Sequence, residues 1–121
     1  MSFSHDDLAR IGSAEEVDIE TQAPEGPAHR TTIWIVVEGE DVFVRSVRGA
    51  AGRWFREATA NPAVAIHVDG RRLAATAIPA TDPDSMERTT RAVIDKYTGI
   101  EGFESMQNPA IFPSTLRLEP A

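Results

Sequence analysis

The run TTIWIVV, from Thr31 to Val37, is β-branched or aromatic and apolar on both faces of a strand period. It predicts a strand reaching Gly39, central in its sheet or covered at an interface. An acidic turn around Gly39 leads to VFVRSV, Val42 to Val47, so the two segments read as an antiparallel hairpin. A clearer hairpin follows: AVAIHV (Ala63 to Val68), Asp69-Gly70, then RRLAATAI (Arg71 to Ile78). Asp-Gly suits a two-residue turn because both central positions need positive φ. Alternation also marks Val17 to Thr21 and Ser114 to Leu118 as strands. Helical spacing appears in three places. Ser4-His5-Asp6-Asp7 caps a helix predicted over His5–Ala14, with Leu8 and Ile11 on one face. A second helix is expected from Arg53 to Ala60, ended by Asn61-Pro62, since the residue before proline leaves the helical region. The longest opens at Asp82-Pro83, an N-cap with proline at the first helical position, and stops at Gly99. The segment Ile100 to Pro113 reads as irregular.

The expected fold is mainly β (α+β): a six-stranded antiparallel split β-barrel with inserted and flanking helices, one domain over 1–121. A doubly wound parallel sheet does not fit, because the hairpin connections are too short to hold crossover helices.

Composition narrows the function. With Cys 0, disulfides and thiolate metal sites are excluded, as suits a reducing compartment. Nothing at the N-terminus resembles a signal peptide, and no stretch approaches the ~20 apolar residues of a membrane span. The expectation is a cytoplasmic protein without membrane contact. The net charge of −7 argues against nucleic acid, which needs a concentrated positive surface. Its distribution is uneven: residues 1–29 carry −6 and residues 81–121 carry −3, whereas residues 30–80 carry +2. Within an acidic chain, a local positive patch focuses a small anion better than a long polyanion.

That patch holds VRSVRGAAGRWF, Val44 to Phe55. Gly49 and Gly52 permit backbone conformations that turn several N–H groups onto one anion, and the following helix offers the positive end of its dipole to the same place. Along the strand, Ser46 and Arg48 share a face and Arg45 points opposite. Arg53 closes from the helix side, and arginine's planar fork suits phosphate. The competing reading is a solvated turn whose arginines pair with the acidic N-terminal third. Neither GxxxxGK[ST] nor GxGxxG is present.

The segment RTTIWIVVEGEDVFVRSVRGAAGRWFREATANPAVAIHVDGRRLAATA, Arg30 to Ala77, resembles the flavin and deazaflavin oxidoreductases of the split β-barrel fold. These include the pyridoxamine 5'-phosphate oxidases and the deazaflavin-dependent nitroreductases. The shared pattern is ordered. A strand beginning R-T-T and a hairpin come first, then a strand ending in serine with a basic glycine loop, then W-[YF] opening a helix that ends A-N-P. The flanks DDLARIGSAEE and STLRLEP look closer to a functionally uncharacterised branch. The resemblance implies a cofactor phosphate against Ser46, Arg48, Gly49, Arg53 and Trp54, and a flavin-type ring near Arg30, Thr31 and Thr32. It further implies a homodimer with cofactor sites at the subunit interface, and hydride transfer to or from a small organic substrate. Deazaflavin enzymes of this kind place basic residues before the first long strand to meet an acidic cofactor tail. Here that segment is acidic, which favours FMN, or no cofactor, over a deazaflavin coenzyme. The alternative reading is a non-catalytic barrel that binds a small anionic ligand. No catalytic residue is assigned.

Other candidates reduce to ordinary roles. His5, His29 and His67 lack metal-ligand spacing, and His67 reads as a satisfied strand histidine. Trp34 and the only tyrosine, Tyr97, read as packing residues, although a tyrosine can donate a proton in a reduction. Trp54 is open between packing and cofactor stacking. Phe103, Met106, Ile111 and Phe112 either wall the pocket or cap one end of the barrel, and the second is expected.

Overall fold

The computed structural model describes residues 2–121. In chain order it contains α1 (His5–Ser13), β1 (Val17–Thr21), β2 (His29–Ile33), β3 (Val36–Glu38), β4 (Asp41–Val44), α2 (Arg53–Ala60), β5 (Ala63–Val68), β6 (Arg71–Pro79), α3 (Pro83–Tyr97), α4 (Phe103–Met106) and β7 (Leu116–Pro120). Short 3₁₀ turns precede α2 at Gly49–Ala51 and β7 at Pro109–Ser114. The segment read as irregular thus holds α4 and the second of these turns. Local signals act as their chemistry requires. Ser4 Oγ accepts from the Asp7 amide at 3.1 Å, and Asp82 accepts from the Ser85 amide at 3.0 Å. Asp69 and Gly70 both take positive φ, 51° and 72°, at the β5–β6 turn.

The strands form one antiparallel sheet in the order β2-β1-β5-β6-β7-β4-β3. Seven strands replace the expected six because the run Thr31 to Gly39 is broken at Trp34-Ile35. Its two halves occupy opposite edges of the sheet although only two residues join them. A two-residue link cannot span the width of a flat seven-stranded sheet, since strands lie roughly 4.8 Å apart. The sheet therefore curls until its edges meet, and the antiparallel barrel with flanking helices follows from that closure.

The closure explains why the run is apolar on both faces. Ile33 and Ile35 enter the barrel interior with Ile19, Val42, Val44, Ile66 and Leu116. Val36 joins Phe43, Val93, Tyr97 and Ile111 in a second cluster, on the side where α3 packs against β3. Both faces are thus covered within the chain.

Tyr97 holds the break open. Its hydroxyl accepts from the Ile35 amide at 3.1 Å and lies 2.7 Å from the Glu15 carbonyl and 3.1 Å from the Ile35 carbonyl, both acceptors. Lys96 Nζ donates to the Ile35 carbonyl at 2.7 Å. Backbone groups that lost their sheet partners are thereby satisfied by the end of α3. The Tyr97 ring also stacks on Trp34, with centroids 4.0 Å apart and planes 3° from parallel. Burial first, with the charges of Glu15 and Glu16 after it, pushes the Tyr97 hydroxyl up to about 12. Its ring and hydroxyl together brace the break.

Candidate functional site

A cavity of about 550 Å³ opens between β2 with the strand break on one side and the β4–α2 connection on the other. The first wall contributes Thr31, Thr32, Ile33 and Trp34; the second contributes Arg45 through Arg48 and Gly52 through Trp54. Because β2 is an edge strand, one row of its backbone groups has no strand partner.

The second wall is built by a sharp turn. β4 pairs with β7 only as far as Val44, opposite Leu116, and the chain then leaves the sheet. Ser114 Oγ receives the Ser46 amide at 3.0 Å. Ser46 Oγ accepts from the Arg48 amide at 3.3 Å. Gly49 adopts φ +63° with its α-carbon against Ile111, where a side chain would be strained. Gly52 has ordinary φ and is required for a different reason: a Cβ there would collide with Ser46 Oγ. Gly52 is also the N-cap of α2, and no side chain caps that helix. The first-turn amides are consequently left without a side-chain partner.

Gly52→Ala should push the Ser46 hydroxyl out of place and break its bond from the Arg48 amide. About 1 kcal/mol of stability should be lost with it, since one neutral hydrogen bond is worth that order. The change is read in urea denaturation, and wild-type stability would mean that the turn tolerates the extra methyl.

Of the eight residues singled out in the sequence, six line this cavity together: Thr31, Thr32, Ser46, Arg48, Arg53 and Trp54. Arg30 turns to Asp18 on the neighbouring strand, 3.2 Å away, and Gly49 lies behind the turn against Ile111. Trp54 is buried at 6% exposure, edge-on to Phe55. Arg48 and Arg53 have no ion-pair partner among the described residues. Both are exposed, as the reading of a solvated turn requires, but neither pairs with the acidic N-terminal third. Thr31 Oγ1 is shielded from solvent and has no hydrogen-bond partner among the described residues.

The expected strand Val42 to Val47 ends at Val44, so Arg45 lies just past β4 and strand alternation does not place it. Its guanidinium turns to α3 and β7, donating to Thr115 Oγ1 at 2.8 Å, Thr90 Oγ1 at 3.1 Å and the Met86 carbonyl at 3.1 Å. Met106 is buried in the second cluster and also lines the cavity, as do Glu16, Glu101 and Gly102. These arrive from segments remote in sequence and carried no local signal. Trp34 is both packed on Tyr97 and part of the wall. His67 bonds Glu20 at 2.8 Å, as a satisfied strand histidine should, and His29 bonds Glu57 at 2.9 Å. No cluster of three metal-ligating side chains occurs among the described residues, and no helix there is long and apolar enough to cross a membrane.

The curled antiparallel sheet, edge-strand closure and flanking helices define a split β-barrel, a fold that this chain shares with several solved structures. Within that fold class the chain belongs to the family described as "Uncharacterized protein conserved in bacteria (DUF2255)", which matches residues 7–118. Among solved structures, a conserved hypothetical protein from Mycobacterium tuberculosis superimposes with a TM-score of 0.70 at 17% identity, covering 96% of this chain and 78% of the other. A Listeria innocua protein provisionally assigned as a pyridoxamine 5'-phosphate oxidase gives 0.66 at 15% identity, covering 96% and 90%. An F420 reductase gives 0.64 at 17%, covering 93% and 91%. At these identities the likeness is one of fold. No curated protein matches the sequence.

Proposed function

We propose that the cavity binds FMN and that the protein is a flavin-dependent oxidoreductase acting on a small organic substrate. The observation that carries this is the convergence of Arg48, Arg53, the Ser46 hydroxyl and the uncapped N-terminus of α2 on one end of the cavity. A phosphate there meets two charged forks and a helix dipole without requiring any side chain to break an existing ion pair. Gly52 leaves the space that a Cβ would fill, and Ser46 accepts from the Arg48 amide while keeping its own proton for a phosphate oxygen. Thr31 and Thr32 stand on the opposite wall. When bound, the flavin supplies the hydride chemistry; the chain supplies anchoring, orientation and a walled site. A deazaflavin with an acidic tail fits less well, because Glu16 and Glu101 lie on the same cavity. A second copy of the chain belongs to the same proposal, with exposed Val47 on the cavity wall as an apolar contact for it.

The test is a titration of the purified protein with FMN, followed by flavin absorbance and fluorescence. Charge-assisted hydrogen bonds contribute roughly 1.5–3 kcal/mol each, so Arg48→Ala should weaken binding about ten- to a hundredfold. Binding of FMN that is indifferent to both Arg48→Ala and Arg53→Ala would place the phosphate elsewhere. A wild-type protein that ignores FMN would leave a ligand-binding barrel without this chemistry.

A further inference from the structure

Helix α2 carries a carboxylate, Glu57, one turn beyond the Arg53 that lines the cavity. Side chains four apart on a helix are surface neighbours, yet no ion pair joins these two among the described residues. The Glu57 carboxylate is held elsewhere. Thr21 Oγ1 donates to its Oε1 at 2.8 Å, and His29 Nδ1 lies 2.9 Å from Oε2 and 3.1 Å from Oε1. Both partners stand at one end of the β1–β2 pair, where Thr21 is directly opposite His29. Little water reaches this clamp: Thr21 is 1% exposed, and the Glu57 side chain 11%. Burial acts to raise the Glu57 carboxyl. The bonds from Thr21 and His29, and then the charges of His29 and Arg53, hold it below its ordinary value. Arg53 thus feels this carboxylate without contacting it, and stays unpaired on the cavity wall.

We propose that Thr21 and His29 are positioning residues for the anion site: by anchoring Glu57 to the end of the β1–β2 pair, they withhold it from Arg53 and leave that guanidinium to a phosphate. This rests on the reading of the arginine end as the cofactor phosphate site and names the groups that keep it available. A released glutamate one turn from an arginine would pair with it and compete directly with a bound anion. Two donors on the neighbouring strands keep that competitor occupied. A tie that served only to fix α2 to the sheet would work as well with a neutral acceptor at position 57. The charge is what makes the position of this side chain matter to a phosphate, and the two roles separate on that difference.

FMN is titrated into the wild type, His29→Ala, Glu57→Gln and the double variant His29→Ala/Glu57→Gln, and each protein is also unfolded in urea. His29→Ala should weaken FMN about threefold, and Glu57→Gln should bind within about twofold of the wild type, the order set by a solvent-accessible charge pair. The double variant should recover the affinity of Glu57→Gln while remaining no more stable than His29→Ala, so that recovered binding cannot reflect recovered folding. The effect of Glu57→Gln is therefore larger in the His29→Ala background than in the wild type, the mark of coupled residues. Added salt should compress that difference. Thr21→Val removes the other donor at nearly constant volume and should weaken FMN in the same direction; with Glu57→Gln it forms the same cycle if His29→Ala does not fold. Unchanged FMN affinity in both His29→Ala and Thr21→Val would overturn the proposal. So would an equal effect of Glu57→Gln in the two backgrounds, which would mean independent charges acting at a distance. If the wild type ignores FMN, the flavin reading falls. The same variants titrated with inorganic phosphate, followed by the amide shifts of Gly52 and Arg53, then decide whether Glu57 is withheld from an anion site, and a wild type that ignores phosphate as well would overturn the proposal.

Discussion

Tyr97→Ala is expected to destabilise the protein by about 3–5 kcal/mol, the range for deleting a fully buried aromatic side chain. Tyr97 is 0% exposed and spans both structural layers: its ring packs with Phe43 and Val93 beneath α3 and stacks on Trp34 beside the cavity. Its hydroxyl satisfies the amide of Ile35 at the point where the sheet breaks. Tyr97→Phe isolates that last role. The ring and its stacking remain, but the Ile35 amide is left buried without an acceptor, which should cost about 1–3 kcal/mol. The Ile35 carbonyl keeps Lys96, so the donor rather than the acceptor is orphaned. Urea denaturation of both variants checks the ratio. A silent Tyr97→Phe would mean that water or a shifted backbone replaces the hydroxyl, and that the break does not depend on α3. Because Trp34 lies on the cavity wall, the alanine variant should also loosen whatever binds there.

The same break shows where the sequence stops being readable. Helix α2 could be bounded to the residue because its limits are local: glycine before it, Asn61-Pro62 after it. The β5–β6 hairpin was legible for the same reason, through Asp69-Gly70. Thr31 to Val37 contains neither glycine nor proline and reads as one strand. What breaks it is a hydroxyl 62 residues away, and no window along the chain contains both partners. The site divides in the same manner. Ser46, Arg48, Gly52, Arg53 and Trp54 are close in sequence, and their constellation could be anticipated from a glycine loop and a helix start. Glu16 comes from the α1–β1 link, and Glu101 and Met106 from the segment around α4, so their meeting follows from the tertiary fold rather than from any local pattern. Two-faced apolarity is met within the chain by the curl of the sheet, which puts Ile33 and Ile35 in the interior and Val36 against the second cluster.

Arg45→Ala should cost about 2–4 kcal/mol of stability, through the hole left by a large side chain and the acceptors left behind. Arg45 is 2% exposed, yet no carboxylate pairs with it among the described residues. Its compensation is two threonine hydroxyls, one carbonyl and the Phe112 ring 4.1 Å from its guanidinium carbon. Neutral partners offset burial only in part, and burial draws the guanidinium down to about 10. The sign follows for a base whose folded form binds its proton less tightly. As pH rises beyond about 10, the unfolded chain retains the proton that the folded chain releases, so this group's contribution to stability increases with pH; at neutral pH it is a cost. Arg45→Met keeps much of the volume and removes the buried charge, so it should be milder than alanine and should lack that alkaline gain. Thermal and urea unfolding from pH 7 to 11 distinguish the three proteins. Ligand binding supplies the contrast with Arg48. With its guanidinium turned to α3, Arg45 should affect FMN affinity only as far as it affects folding, so that Arg45→Met binds FMN nearly as the wild type does. If Arg45→Met were fully stable and yet lost FMN, the anion would lie on the α3 face of β4, and Arg45, not Arg48, would be its ligand.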